Sequence, residues 1–374
     1  MMIKTDASSL AIVQFSDIEG PRMLTRPGQI SQYITGLSSE RIYAAESVAR
    51  VYRFKLPYFY AKNILSGASD DPLLDLVFPT TEELEDGDEL WDTTSSSYKA
   101  SDSPYWVQKY QYQGLIRVTT ACSGQCRFCY VKKRNALPRA MTTKDVDRLF
   151  DDLEARGESL REIILSGGDP LCAPSQVLEA IASRMSRLRA MPRPHHLYIN
   201  IHTREPVWNP ASLLRRHSVL RALGKLSPKI YVINVIHPRE VTSEFVEACN
   251  VLSEASGSNS RPVFLCQHPL FRGVNDRVEI LDDLYSKLIE MSTPILPYYL
   301  VHPFYNGTLP KHRLSIVDSQ NIYRELVRRP GCLTPQLVIP TPWGKCHLGP
   351  DEKLIKDGHQ YLLTTKDGNQ VLLP

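Results

Sequence analysis

The sequence predicts an α/β fold, in which a partial (β/α)6 barrel lies between an N-terminal helical region and a C-terminal extension. From about Leu115 onward, short β-branched or apolar runs alternate with segments of helical periodicity, as in a parallel sheet covered by helices. Before Leu115 this alternation is lost. The chain has 374 residues, of which 42% are hydrophobic, so it can bury the core that such a barrel requires.

Six runs predict the parallel strands, and a helical pattern follows each of them. The strands are predicted at residues 115–120, 162–165, 196–202, 230–236, 263–267 and 295–301. The helices are predicted at residues 143–156, 174–189, 210–223, 242–256, 276–291 and 315–328. Asn209 and Thr242 are predicted N-caps, because their side chains can accept a hydrogen bond from the first turn of a helix.

The same pattern divides the chain into three parts. Residues 1–104 are predicted to form an N-terminal, helical appendage, residues 105–314 the barrel, and residues 315–374 a C-terminal segment. The acidic run at residues 82–92 is interpreted as a solvated loop. Near the end of the chain, residues 361–373 are predicted to form a hairpin that turns at Asp367-Gly368.

Composition and charge point to a soluble metalloprotein. The 44 basic and 41 acidic side chains are nearly balanced, which gives no indication of a nucleic-acid partner. No apolar run approaches the roughly 18 residues of a membrane span, and the first residues lack the apolar core of a signal peptide. Three of the eight cysteines fall close together, which favours metal binding in a reducing compartment. We therefore expect a cytoplasmic protein.

The most informative motif is the CxxxCxxC spacing of Cys122, Cys126 and Cys129, directly after the first predicted barrel strand. Three thiolates on one loop can hold three irons of a [4Fe–4S] cluster and leave the fourth iron open to a chelating ligand. S-adenosylmethionine (SAM) supplies such a chelate through its amino and carboxylate groups. A structural zinc site is the alternative, but it needs a fourth ligand and usually shows paired CxxC units. The spacing therefore favours a radical SAM enzyme.

A glycine-rich turn follows the second predicted strand, at Gly167-Gly168-Asp169. Two adjacent glycines permit a close approach of the backbone, and free backbone donors of such a turn can bind a carboxylate. As a generic βα turn it would carry no chemistry. Its position one βα unit after the cysteine motif favours a role in binding SAM.

Four ordered segments of the chain resemble the lysine 2,3-aminomutase family of radical SAM enzymes. The glycine motif of that family is similar to residues 166–171, and its Ser-Arg-Thr-Pro-Val turn is similar to residues 202–207. Its Asn-His-Pro-Asn-Glu-Ile-Thr segment resembles residues 236–242, and its Gln-Ser-Val-Leu-Leu-Arg-Gly-Val-Asn-Asp segment resembles residues 267–276. The resemblance implies a partial (β/α)6 radical SAM barrel.

The resemblance also implies roles for single residues around SAM. Gly167, Gly168 and Asp169 would line the amino end of SAM, with Arg204 and Gln267 near its nucleoside or in the cofactor pocket. For Arg204 the alternative is a salt bridge at a strand end, and for Gln267 it is hydrogen bonding to backbone groups inside the barrel.

Enzymes of this family bind pyridoxal phosphate (PLP) through a lysine near the C-terminus, and the corresponding residue here is Lys345. A PLP lysine needs a neutral amine in a confined pocket, whereas the alternative is a solvated surface lysine. Lys109 stands where the family has a phosphate-binding arginine, and Lys109 and Tyr110 can hold the phosphate of PLP. A second phosphate-binding arginine of the family is replaced by Gln113.

The residues that bind the substrate in this family are less well preserved in this sequence than those that bind the cofactors. The arginine that binds the substrate carboxylate is replaced by Val131, and the adjacent cations at residues 132–134 are either its substitute or a solvated face. Two aspartates that bind the side-chain amine of lysine fall at about Phe304 and Pro340. An ammonium group buried against such residues would be destabilised by several kcal/mol, so lysine is not the expected substrate. A zinc-binding cysteine of the family is replaced by Arg277, and we predict no zinc.

These residues predict a PLP-dependent 2,3-aminomutase that acts on an amino acid other than lysine through a 5′-deoxyadenosyl radical. The alternative is a PLP-independent radical SAM dehydrogenase, epimerase or deaminase acting on an amino-acid-derived metabolite. A third alternative, a non-catalytic binding protein, has no need of a SAM-binding turn. We expect an electron donor such as flavodoxin or ferredoxin as a partner, and homo-oligomerisation stays open.

Overall fold

The computed structural model describes residues 23–85, 103–129, 131–132, 140–156, 160–192, 196–257, 261–303, 309–329, 331, 333–358, 360–365 and 368–373. Its α-helices are α1 Ser39–Val51, α2 Tyr58–Asn63, α3 Glu82–Glu85, α4 Thr143–Arg156, α5 Ser175–Ala190, α6 Glu205–Trp208, α7 Pro210–Leu214, α8 His217–Leu226, α9 Ser243–Ala255, α10 Val278–Glu290 and α11 Ile316–Val327. Its strands are β1 Met23–Leu24, β2 Leu56–Pro57, β3 Trp106–Tyr110, β4 Gln113–Thr119, β5 Glu162–Gly167, β6 Tyr198–Thr203, β7 Ile230–Ile233, β8 Val263–Pro269, β9 Ile295–Val301, β10 Gln336–Thr341, β11 Gly344–His347, β12 Ile355–Asp357, β13 Gln360–Thr364 and β14 Gln370–Leu373.

A nine-stranded sheet, in the order β11-β10-β9-β8-β7-β6-β5-β4-β3, forms the centre of the fold. Strands β4 to β10 are parallel in chain order, and an antiparallel partner, β3 or β11, covers each end. The two ends of the sheet meet through Tyr110 of β3, whose hydroxyl accepts a hydrogen bond from the backbone N–H of Lys345 on β11 at 2.8 Å. The predicted α/β barrel is therefore confirmed, and it is nearly closed.

The helices cover the outside of the sheet as their periodicity predicts. On α4 the side chains of Val146, Leu149, Phe150 and Leu153 recur at helical spacing, and all four are buried. The predicted caps are also confirmed, because the side chains of Asn209 and Thr242 accept hydrogen bonds from the backbone of α7 and α9.

The prediction of one continuous helix at residues 210–223 is wrong. Residues 210–223 form two helices, α7 and α8, rather than one. The chain turns at Arg216, whose guanidinium donates to the backbone oxygens of Leu171 and Ala173 after β5. A tertiary contact thus interrupts a sequence whose apolar spacing is helical throughout.

The part of residues 1–104 that is described contains α1, α2 and α3 and packs into one continuous apolar core with the barrel. The interpretation of residues 82–92 as a solvated loop is wrong for Glu83, which is 1% exposed. Residues 86–92 lie outside the described residues. The division of the chain into domains stays a prediction.

The C-terminal segment adds two strands to the barrel that the sequence analysis did not identify, β10 and β11. The predicted hairpin corresponds to β13 and β14, which pair antiparallel in a separate three-stranded sheet with β12. The turn of this hairpin was predicted at Asp367-Gly368. Gly368 has a positive φ of 85°, and Asp367 lies outside the described residues. No helix in the described part of the chain is both long and apolar enough to cross a membrane.

Candidate active site

The carboxyl ends of β4, β5 and β6 bring the cysteine loop, the glycine turn and Arg204 to the same edge of the barrel. These strands are parallel neighbours, so the loops that follow them meet at one edge. Cys122, Cys126 and Cys129 lie on the loop that follows β4, and burial raises the pKa of each thiol. The sequence prediction that these segments converge is thus consistent with the topology of the sheet.

The three thiols are free, and they lie close enough that, besides burial, the charges of Cys129 and Cys126 raise the pKa of Cys122. The seven cysteines in the described part of the chain are free thiols, so these three are available as ligands. Among the described residues, no three Cys, His, Asp or Glu side chains surround one point as the ligands of a single ion would. A [4Fe–4S] cluster does not require its three ligands to surround a single point, because each thiolate binds a different iron.

The glycine turn lies directly against the beginning of the cysteine loop. Gly167 has a φ of 110°, a conformation that favours glycine, and a Cβ atom on Gly168 would lie 2.5 Å from the backbone oxygen of Ala121. The N–H of Gly168 donates to the oxygen of Thr119 at 2.5 Å, and the N–H of Asp169 donates to that of Ala121 at 2.8 Å. These two donors are used inside the protein, and the binding of SAM by this turn stays a prediction.

Asp169 connects the glycine turn to the end of β6. Its buried carboxylate accepts hydrogen bonds from the Thr203 hydroxyl at 2.8 Å, from the N–H of Arg204 at 2.8 Å and from that of Leu171 at 3.0 Å. Both carboxylate oxygens therefore have partners within the protein. A contact of Asp169 with the amino end of SAM stays a prediction.

Arg204 forms a buried ion pair behind the cysteine loop. Its guanidinium donates to Glu240 at 2.5 Å and to the backbone and side-chain oxygens of Asn234 at 2.8 and 2.9 Å. It also lies over the ring of Trp208, with 5.0 Å between the guanidinium carbon and the ring centroid. Glu240 additionally accepts a hydrogen bond from the hydroxyl of Tyr60 at 2.7 Å. Arg204 thus forms the salt bridge that was its alternative role, and its contact with SAM stays a prediction.

Lys345 lies inside the barrel end formed by the β10–β11 hairpin. Its Nζ is 3.5 Å from Oε1 of Gln267 and 4.2 Å from the centroid of the Tyr299 ring. Burial, with a smaller effect from the charge of Lys345, lowers the pKa of the nearby His202 to about 3, so His202 is neutral at physiological pH. The amine thus faces neutral polar and aromatic side chains.

The two predicted phosphate residues contact the same hairpin. The Nζ of Lys109 donates to the backbone oxygen of Pro342 at 2.8 Å, and Tyr110 accepts from the backbone of Lys345. Gln113, by contrast, donates to Glu162 at 2.5 Å. Residues from three distant segments, at 109–110, 267 and 345, are therefore brought together.

Of the substrate residues considered in the sequence, the structure describes Val131, which is partly buried, Lys132 and Pro340. Lys132 is buried and donates to Glu83 at 2.9 Å, so its amine is not directed to a substrate carboxylate. Pro340 of β10 stands opposite Lys345 of β11 in the hairpin. Lys133, Arg134 and Phe304 lie outside the described residues.

Sequence reasoning missed a buried cluster of Glu205, Ser123 and Cys172. Glu205 accepts a hydrogen bond from the Ser123 hydroxyl at 2.7 Å and one from the thiol of Cys172 at 3.4 Å. Spacing gives no indication of this contact, because the three residues follow three different strands, β4, β5 and β6. The sequence offered one indication of this cluster. Glu205 is a carboxylate at a position where the lysine 2,3-aminomutase family has threonine.

Glu205 makes the stability of the protein depend on pH. Burial, together with the negative charge of Asp169, raises the pKa of Glu205 from 4.5 to about 8, against smaller opposing effects from Ser123, Cys172 and Arg216. Between these values the folded protein binds more protons than the unfolded chain, so this group lowers the free energy of unfolding as pH rises from about 4.5 to about 8.

We therefore expect Glu205→Gln to remove this part of the pH dependence. The variant should gain stability relative to the wild type as pH rises through that window, and the difference should stay constant above it. Denaturant unfolding at a series of pH values measures the effect. Glu179→Gln, at an exposed carboxylate, is the control. A difference that does not change with pH would contradict the shift.

Comparison with protein-family models identifies the domain that contains this site. Residues 116–284 match the family model described as the radical SAM superfamily. This chain carries a radical SAM domain. The match begins in β4 and ends in α10, so it includes the cysteine loop and the glycine turn.

Two curated relatives extend the similarity beyond the radical SAM domain. The L-lysine 2,3-aminomutase of Buchnera aphidicola subsp. Baizongia pistaciae is 26% identical over 74% of this chain and 77% of its own length. The glutamate 2,3-aminomutase of Clostridioides difficile is 26% identical over 93% of this chain and 79% of its own length. The resemblance to the lysine 2,3-aminomutase family is therefore confirmed.

A solved radical SAM methyltransferase from Sphaerobacter thermophilus also matches, with 18% identity, a TM-score of 0.38, and coverage of 61% of this chain and 66% of that one. A TM-score this low supports no statement about function. The radical SAM family implies a [4Fe–4S] cluster and SAM, together with a small-molecule substrate and a reductant.

Proposed function

We propose that this radical SAM protein is a PLP-dependent 2,3-aminomutase whose substrate is an amino acid other than lysine. The observation that carries the proposal is the convergence of Lys345, Gln267 and Tyr110 from distant segments at one end of the barrel. The similarity to both lysine and glutamate 2,3-aminomutases agrees with this chemistry and leaves the substrate open.

The cofactors supply the reactive groups and the protein positions them. Cys122, Cys126 and Cys129 would hold the cluster, which together with SAM would supply a 5′-deoxyadenosyl radical. PLP, when bound at Lys345, supplies an electrophilic carbon for the substrate amine and a conjugated ring that stabilises a neighbouring radical. We propose that flavodoxin or ferredoxin delivers the electron.

The protein's own groups prepare Lys345 for this role. Gln267 accepts a hydrogen bond from the Lys345 amine, and the face of the Tyr299 ring stabilises the amine while it is charged. Tyr110 fixes the backbone of the lysine, and the same hydroxyl confines Gly344, where a Cβ atom would lie 3.0 Å away. These contacts hold the amine in one place and direction within the barrel.

We propose that lysine is rejected because this chain lacks an aspartate at a position where the lysine enzymes have one. Pro340, paired across the hairpin with Lys345, provides no negative charge for a substrate ammonium group. A substrate with a neutral side chain avoids burying an unpaired cation, which would be unfavourable by several kcal/mol.

Two observations favour the alternative, a PLP-independent radical SAM dehydrogenase, epimerase or deaminase. Gln113, in place of a phosphate-binding arginine, donates to Glu162 rather than toward Lys345. Lys132, the nearest described cation after the cysteine loop, is bound to Glu83. Neither group is then available for a phosphate or a substrate carboxylate.

A borohydride trapping experiment distinguishes the two. The protein is reconstituted anaerobically with iron and sulfide, PLP is added, and the visible spectrum is recorded before and after borohydride, followed by peptide mapping. We expect a reduced PLP adduct on the peptide that contains Lys345, absent in Lys345→Arg and unchanged in Lys353→Arg, which alters an exposed lysine. SAM cleavage by the wild type without any adduct would rule out the PLP mechanism and support the alternative.

A further inference from the structure

The N-terminal region is attached to the cysteine loop at several points. The Nζ of Lys55 donates to the backbone oxygen of Cys122 at 2.7 Å, and the backbone oxygen of Lys55 accepts from the N–H of Gln125 at 2.7 Å. The N–H of Arg127 donates to the backbone oxygen of Leu76 at 2.9 Å. The cysteine loop is thus ordered by residues that precede the barrel in the sequence.

A buried ion cluster completes this attachment. Glu83 accepts hydrogen bonds from Nε and Nη2 of Arg127 at 2.9 and 2.7 Å and from Nζ of Lys132 at 2.9 Å. The three side chains are 0%, 0% and 3% exposed. Arg127 also donates to the backbone oxygen of Arg53 at 2.9 Å. One carboxylate therefore joins two cations that lie on either side of Cys129.

The charges of this cluster do not cancel. Among the described residues of this cluster, Arg127 and Lys132 carry two positive charges against the single negative charge of Glu83, and all three side chains are buried. Both cations flank Cys129 in the cysteine loop, Arg127 two residues before it and Lys132 three residues after it. The N–H of Lys132 also donates to the backbone oxygen of Cys129 at 3.1 Å. A surplus positive charge thus lies next to one predicted ligand of the cluster.

We propose that Glu83 and Lys132 are positioning residues that order the cysteine loop and, through their charges, set the reduction potential of the iron–sulfur cluster. The proposal rests on the radical SAM assignment and is independent of PLP. On reduction the cluster gains one electron, so a nearby positive charge stabilises the reduced form more than the oxidised form. Removing a cation should lower the potential, and removing the carboxylate should raise it.

Two substitutions with opposite charge effects test this. Lys132→Gln removes one cation and leaves the bidentate Arg127–Glu83 pair in place, so we expect normal iron content and a lower midpoint potential. Glu83→Gln leaves both cations unpaired, so we expect a higher midpoint potential and several-fold lower iron retention, because breaking a buried pair is strongly destabilising. A redox titration followed by electron paramagnetic resonance measures the potential, and iron analysis measures retention.

Matched controls separate the local effect from a general effect of charge. Lys225→Gln and Glu179→Gln make the same changes in an exposed ion pair on α8 and α5, and should leave the potential unchanged. Lys132→Arg keeps the charge and should keep the wild-type potential. If Glu83→Gln does not fold, Lys132→Gln and Lys132→Arg still decide the question.

The outcomes are distinguishable. The proposal would be overturned if Lys132→Gln and Glu83→Gln shifted the midpoint potential in the same direction. It would also be overturned if iron were lost without any shift of potential, because the residues would then have only a structural role. A wild-type protein that takes up no cluster would overturn it as well. A wild type with a cluster but no PLP adduct would refute the aminomutase and leave this proposal standing.

Discussion

Gly168→Ala is expected to abolish cluster assembly and SAM cleavage. The added Cβ atom would lie 2.5 Å from the oxygen of Ala121, 2.7 Å from the carbonyl carbon of Thr120 and 2.9 Å from the nitrogen of Ala121. All three are backbone atoms at the start of the cysteine loop, so no side chain can rotate away to relieve the contact. The loop must move, and a displacement of about 1 Å in a positioned group can reduce a rate about 100-fold.

The measurements are iron content after reconstitution and the rate of 5′-deoxyadenosine formation. Gly349→Ala is the control, because a Cβ atom there would meet the Cβ of Glu352 at 3.4 Å, an ordinary contact. We expect that variant to keep the wild-type rate. Normal iron content and SAM cleavage in Gly168→Ala would show that the turn does not fix the position of the cysteine loop.

The second large effect is expected from Glu240→Gln, which should lower the free energy of unfolding by about 3–5 kcal/mol. The substitution removes the only carboxylate that the described residues place on the buried Arg204 guanidinium, and it leaves an uncompensated charge in the core. It also replaces an acceptor of the Tyr60 hydroxyl and of the Ile236 N–H, bound at 2.7 and 2.8 Å. An amide can accept at only one of its two polar atoms.

Denaturant unfolding followed by circular dichroism measures this change. Asp283→Asn is the control, because Asp283 and Lys287 form an exposed pair on α10 at 3.0 Å, and such pairs contribute about 0.5 kcal/mol. A loss of less than about 1 kcal/mol in Glu240→Gln would mean that the pair contributes no more than a surface ion pair.

The parallel strands were predictable because their apolar runs are short, and each is followed by a helix of clear periodicity. The strand predicted at residues 295–301 has the bounds of β9, and the helix predicted at residues 143–156 has the bounds of α4. The sequence analysis missed β3 and β11, which pair antiparallel at the two ends of the sheet, outside the βα repeat, and it missed β10, the strand that follows α11 and extends the parallel series. Nothing local distinguishes such strands from loops, since pairing with distant strands stabilises them.

In the site, too, features encoded by neighbouring residues were predictable, whereas contacts between distant residues were not. The cysteine spacing and the glycine turn are local motifs, so the sequence indicated both, and the match to the radical SAM superfamily covers them. The buried role of Glu83 was not predictable, because its partners Arg127 and Lys132 lie more than 40 residues away. An acidic run in a sequence indicates solvent exposure on average, and only the fold shows which carboxylate is the exception.

The contact between Tyr110 and Lys345 has a consequence for how the molecule assembles. The two residues are 235 positions apart, so the barrel is completed by one of the most distant contacts in the chain. Contacts of high sequence separation form slowly, because a long loop must close before they contribute. During synthesis the cysteine loop and the glycine turn emerge well before the hairpin that carries Lys345. The barrel therefore cannot close around Lys345 until the β10–β11 hairpin has been synthesised.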